Sequence, residues 1–120
     1  MAEETNAAGL EDVCVVLVTV PNVETGEVLA REMVEERLAA CGNVVSGLVS
    51  LFWWEDEVQR EKEALVVLKT VREAIPALEE RVTDIHPYAV PEFLVLPVAA
   101  AFEPYARWIG TETRPTPDAG

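Results

Sequence analysis

Asn43-Val44-Val45-Ser46-Gly47-Leu48-Val49-Ser50-Leu51-Phe52-Trp53-Trp54 is a run of 12 residues with no proline and a single glycine, and Glu55-Asp56 separates it from a second run, 57–69. The first run reads as a β-strand. At about 3.3 Å per residue it would span roughly 40 Å, about twice the usual strand length. Aspartate tolerates the left-handed backbone that a two-residue hairpin turn requires, so 55–56 reads as that turn. This register places Phe52 opposite Gln59 and Leu51 opposite Arg60. A domain of this size has a radius of gyration of about 13 Å, so the hairpin outgrows the domain that carries it. Strict alternation puts Val45, Val49, Leu51 and Trp53 on one face, and Leu48, Phe52 and Trp54 on the other. Both faces are apolar, and one helical layer covers only one face of a sheet. Bare, this surface exceeds what soluble monomers usually carry. The aromatic tip, Phe52, Trp53 and Trp54, is therefore expected in a subunit interface. An aromatic ligand platform and ordinary core are the alternatives.

The rest of the chain supplies the domain. Val13 to Val20 is a continuous apolar, β-branched run that stops at Pro21-Asn22, as expected for a strand buried on both faces. Asn22 or Thr25 can cap a following helix, with Glu24 and Glu27 suiting its dipole. Ala30, Met33, Val34, Leu38 and Cys41 recur at helical spacing, and Gly42 reads as the helix stop. Ile75, Leu78, Val82 and Ile85 mark a second helix, with Pro76 in its first turn and His86-Pro87 at its end. Phe93 to Ala99 reads as a fourth strand, where Pro97 implies an edge or a bulge. Phe102 to Thr111 reads as a last short helix. The predicted order is β-α-β-β-α-β plus a C-terminal helix. That is an α+β, ferredoxin-like sandwich in a single domain over 13–112, with loose ends at 1–12 and 113–120.

The 120 residues carry 22 acidic against 9 basic side chains, a net charge of −13. Nucleic acid demands a basic footprint, and anionic membrane surfaces repel such a chain, so neither is expected as a partner. No apolar run reaches the length of a membrane span, and Met1-Ala2-Glu3-Glu4 lacks the features of a signal peptide. A cytoplasmic location is expected. Cys14 and Cys41 lack C-x-x-C spacing and are expected to be reduced and packed.

Val18-Thr19-Val20-Pro21, Arg37-Leu38-Ala39-Ala40-Cys41, Trp53-Trp54-Glu55, Leu68-Lys69-Thr70, His86-Pro87-Tyr88 with Pro91-Glu92, Leu96-Pro97-Val98, and Tyr105 with Trp108-Ile109 follow in order. That ordered set resembles the CutA family of divalent-cation tolerance proteins over roughly 13–112. The resemblance implies a ferredoxin-like subunit, a tight homotrimer whose long hairpins pack on neighbours, and a link to copper and other divalent cations. It also implies an intersubunit cleft lined by Trp54, Glu61, Lys69, Tyr88, Glu92 and Trp108. Some members proposed to bind copper carry a cysteine at the position of Val18 and two adjacent histidines where this chain has Ile85-His86. The usual Glu-Gly-Lys turn is replaced by Glu55-Asp56-Glu57. With those ligands missing, the implied Cu2+ binding is weak.

His86 is the only histidine. Imidazole suits copper, zinc or nickel, but a protein site normally needs three or four ligands. His86 with Glu92 is the candidate metal pair, and a hydrogen-bonded structural histidine and a catalytic base are the alternatives. Glu61, Lys69, Tyr88 and Glu92, near Trp108, can bind a small anion, do acid–base work, or form a salt-bridge network that sets subunit register. The chain holds no Gly-rich phosphate loop, nucleophile elbow or H-E-x-x-H motif, and no catalytic residues are assigned. The expected function is homotrimeric divalent-cation tolerance without enzymatic activity. The alternative is a PII-like trimeric signalling protein that binds a small molecule, on fold-level analogy.

Overall fold

The computed structural model describes residues 12–114; of the loose ends expected over 1–12 and 113–120, residues 1–11 and 115–120 lie outside the described residues. The first strand, β1 (Val13–Val20), buries Cys14, Val16, Val18 and Val20 completely, while Val15, Leu17 and Thr19 are half-buried. The run is thus covered fully on one face only, because both long helices lie on that side. Helix α1 (Val23–Glu35) starts where Asn22 Oδ1 accepts the Thr25 N–H at 2.8 Å, with Glu24 in its first turn. Leu29, Ala30 and Met33 enter the core from α1.

The end of α1 corrects the sequence reading. The helix stops at Glu35, and Arg37, not Gly42, takes the left-handed position at φ 63°. The Leu38 N–H donates to the Met33 carbonyl at 2.9 Å, and the Arg37 N–H to the Val34 carbonyl at 3.0 Å. This paired pattern closes helices whatever residue occupies the left-handed site. Cys41 and Gly42 already belong to the next strand, β2 (Cys41–Trp54). Gly42 serves packing there: a Cβ would lie 3.0 Å from Ala30 Cβ and 3.1 Å from Leu68 Cδ2.

Strand β3 (Glu57–Val71) returns from the hairpin, and a 3-10 turn at Arg72–Ala74 leads into α2 (Ile75–Ile85), with Pro76 in the first turn. Leu78 and Val82 complete the core from α2. Arg81 on α2 binds Glu36 and Glu32 at the end of α1, and its hydrogen bonds hold the Glu36 carboxyl below the usual range. Strand β4 (Leu94–Pro97) is shorter than expected and pairs with β1 alone. Pro97, whose nitrogen has no hydrogen to give, thus sits on an edge strand. The sheet order is β2-β3-β1-β4, every pair antiparallel, which is the ferredoxin-like arrangement. Helix α3 (Glu103–Glu112) packs at one end of the sheet on a second cluster of Val13, Ala40, Val71 and Ala74. Thr113, assigned from sequence to the loose end, is buried.

The hairpin turns at Glu55 (φ 52°) and Asp56 (φ 68°), both left-handed as a type I′ turn requires. Leu51 pairs with Arg60, Phe52 with Gln59 and Trp54 with Glu57. A bulge between Val45 and Leu48 alters the expected faces. Gly47 adopts φ 82° there, which only glycine takes without strain. The extra residue moves Val45 to the face of Leu48, Phe52 and Trp54, whereas Val49, Leu51 and Trp53 stay on the other. The longest dimension reaches 55 Å against 34 and 24 Å across, and the hairpin end lies bare, with Trp53 74% exposed.

Candidate functional site

Helices α1 and α2 cover one sheet face, α3 covers only one end of the other, and the period of two along β3 decides which side chains the open part presents. Leu65 and Val67 are half-buried there, followed outward by Glu63 and Glu61, which pair with Leu48 and Ser50 of β2. Tyr88, in the loop between α2 and β4, donates its hydroxyl to Glu63 Oε2 at 2.6 Å. Burial first, and then this bond and the Glu63 charge, push the phenol well above its ordinary range. Glu92 lies near enough to Glu63 to respond to it. Burial and then the Glu63 charge raise its carboxyl pKa. Glu61, Glu63, Tyr88 and Glu92 thus form one acidic group on the open face.

The raised Glu92 carboxyl has a signed consequence. The folded chain holds this proton more tightly than the unfolded chain, whose pKa is near 4.5. The Glu92 contribution to stability therefore falls as pH rises above that value through the folded pKa. Glu92→Gln removes the penalty. Its melting temperature should exceed the parent's at pH 7, and the gap should close as pH falls to about 4.5. A gap independent of pH in calorimetric scans would refute the assignment.

His86 is buried, and neither ring nitrogen is free. Nε2 lies 2.8 Å from the Thr19 carbonyl, and Nδ1 accepts the Tyr88 N–H at 3.1 Å. A carbonyl only accepts, so Nε2 carries the proton and the ring is the neutral Nε2–H tautomer. Imidazole and phenol rings lie 4.7 Å apart. His86 thereby fixes Tyr88, which in turn holds Glu63. A metal on His86 would have to displace one of these bonds.

The remaining cleft residues lie elsewhere. Lys69 Nζ donates to Asn43 Oδ1 at 2.6 Å, and its cross-strand partner is Cys41. The Tyr105 phenol is raised by burial and then by the neighbouring Cys41 thiol, and its ring stacks on Trp108 at 5.6 Å. Eight residues of strand, ~27 Å, separate Lys69 from Glu61. Trp54 sits at the hairpin end, about four residues or ~13 Å beyond Glu61. One chain therefore brings Glu61, Tyr88 and Glu92 together, sets Lys69 and Trp108 at the opposite end of the face, and leaves Trp54 apart. Glu63 and Asn43 were missed in the sequence. The alternation that selects Glu61 also selects Glu63 two residues on, whereas Asn43 depends on cross-strand register. Among the described residues, no group of three or more His, Cys, Asp or Glu side chains of one chain is placed to hold a metal ion, so a cation at Glu61, Glu63 and Glu92 would need further ligands from outside that chain.

Residues 14–112 match the family model described as CutA1 divalent ion tolerance protein. The divalent-cation tolerance protein CutA of Thermus thermophilus is 46% identical over 99 residues, covering 82% of this chain and 96% of that one. The chloroplastic CutA 1 of rice is 44% identical over 100 residues, and this chain spans only 56% of its length. The solved Thermus structure superposes with a TM-score of 0.83, covering 85% of this chain and 99% of that one. The rice structure gives 0.84, with 88% and 96% covered. A structure from Archaeoglobus fulgidus, 26% identical and with a TM-score of 0.82, is titled a periplasmic divalent cation tolerance protein and covers 85% of this chain and 99% of that one. These relatives occupy different compartments by name. In this chain no described helix is long and apolar enough to cross a membrane. With a close superposition on solved CutA structures and a family match over nearly its whole described length, the chain belongs to the CutA1 family of divalent ion tolerance proteins.

Proposed function

We propose that the chain works in divalent-cation tolerance as a homotrimer that binds divalent cations, copper among them, weakly in clefts between subunits. The uncovered sheet face carries this reading. It combines the apolar hairpin end, Phe52 and Trp54, with Glu61, Glu63 and Glu92 on one continuous surface. Apolar surface of this extent calls for a covering partner. A neighbouring copy of the hairpin supplies one, and it brings Trp54, Lys69 and Trp108 of different chains toward one acidic group. Carboxylates bind hard and borderline divalent cations, and the net charge of −13 draws cations toward the surface. Of the His86–Glu92 pair, Glu92 can ligate without breaking a hydrogen bond to any described residue. His86 positions Tyr88 and becomes a ligand only if Nδ1 releases the Tyr88 N–H.

Titration calorimetry with Cu2+ and Zn2+ tests the site. The parent should bind weakly, and Glu92→Gln should lose roughly tenfold or more in affinity. His86→Ala should act indirectly, through disorder of Tyr88. Equal affinities for the parent and Glu92→Gln would remove this carboxylate group from cation binding.

A further inference from the structure

We infer that α3 is a detachable unit that opens ahead of the rest of the fold and is held closed by Arg37. Helix α3 does not join the main core. It packs Ala106 and Ile109 on a separate cluster of small and medium side chains, Val13, Ala40, Val71 and Ala74. Both of its ends are weakly held. Phe102 at its N-cap provides no side-chain hydrogen bond and is 77% exposed, and no basic residue occupies its last turn. Just beyond it, Thr113 is buried with its hydroxyl making no hydrogen bond among the described residues, an arrangement that favours opening.

One residue from elsewhere compensates. The Arg37 guanidinium donates to the Glu112 carboxylate at 2.5 Å and reaches the Glu112 main-chain carbonyl at 3.3 Å. It thus does, from the α1–β2 connection, what a basic residue in the last turn would do for the carbonyls and the dipole. Arg37 serves this role from a left-handed backbone position, φ 63°, that disfavours L-residues because of their Cβ. The bond is exposed on both sides, as suits a reversible latch. Opening carries the Tyr105–Trp108 stack away from Cys41 and Lys69 and remodels that end of the open face while β1 to β4 stay folded. Small cooperative units with few buried side chains open at lower free energy than the global fold. The inference rests on α3 alone and does not depend on cation binding.

Hydrogen exchange of the full chain, resolved by peptide, tests it. Amides 107–113 should exchange roughly tenfold or more faster than those of β1. Arg37→Ala should speed exchange in α3 about two- to fivefold and leave β1 unchanged, as expected for an exposed ion pair. Arg37→Gly separates the latch from backbone strain. It relieves the left-handed conformation, so β1 should become no less protected, yet α3 should still exchange faster. Thr113→Val should shift α3 the other way and slow its exchange about fivefold or more. Protection of α3 equal to that of β1 in the parent would overturn the inference. So would α3 exchange unchanged in both Arg37 variants.

Discussion

The doubly substituted chain Trp53→Ala, Trp54→Ala is expected to sediment as smaller species than the proposed homotrimer of the parent, while each subunit keeps its fold. The two rings point to opposite faces of the hairpin end, Trp53 beside Val58 and Trp54 beside Glu57, and both are exposed in the single chain. Neither belongs to the core clusters that hold the subunit together. Removing them therefore leaves the intrachain packing intact and acts on whatever covers the tip. Full burial of an aromatic side chain contributes about 1.5–3 kcal/mol, so the pair amounts to about 3–6 kcal/mol per subunit, enough to shift assembly by two orders of magnitude or more. Sedimentation velocity across a dilution series reads the effect, with circular dichroism checking the fold. An intact assembly of unchanged thermal stability would refute the interface role.

Gly42→Val is expected to destabilise the subunit itself. At this point α1 lies directly on the sheet, and even a methyl group would meet Ala30 Cβ at 3.0 Å and Leu68 Cδ2 at 3.1 Å. Leu68 is fully buried and Ala30 nearly so, so neither neighbour can retreat without moving the helix. Overpacking of this kind costs about 1–3 kcal/mol, and the two further methyl groups of valine place the expected loss at the upper end. For a domain of about 100 residues each kcal/mol lowers the melting temperature by roughly 4–8 °C. A thermal scan showing no decrease would mean that the helix can lift from the strand at little cost. The two substitutions also differ in their dependence on concentration. The tryptophan variant loses stability on dilution, whereas the Gly42 variant loses it within each chain.

Gly42 also shows how a local signal misleads. After a helical pattern, glycine reads as a helix stop. Yet the stop falls five residues earlier at Arg37, and Gly42 is required by a close approach between elements distant in the chain. Gly47 has a similar history. The composition of β2 announces a long strand, but not the bulge that transfers Val45 to the face of Phe52 and Trp54. The hairpin turn was easier to read, because Glu55-Asp56 allows few backbone solutions and the register follows from its length. The same holds for Asn22 as the cap of α1, a contact between residues three apart.

At the candidate site the division is sharper. The residue types of an acidic, aromatic face were legible, and so was the grouping of Tyr88 with Glu92, which are close in sequence. A hydrogen-bonded, structural His86 was among the readings of the sequence, but its partners were not legible. Its ring nitrogens are engaged by Thr19 and Tyr88, one of them in β1 and 67 positions away. Nor does the chain's order reveal that Glu63 anchors Tyr88, or that Lys69 stands at the far end from Glu61. By itself, the sequence determined the order of elements, the excess length and apolarity of the hairpin, and the family. Those depend on periodicity and on contacts short in sequence. Only the tertiary structure decided which face the helices cover, which nitrogen carries the proton on His86, and which carboxylates share one patch. These depend on register and packing between distant segments, where a shift of one residue turns every side chain to the other side of the sheet.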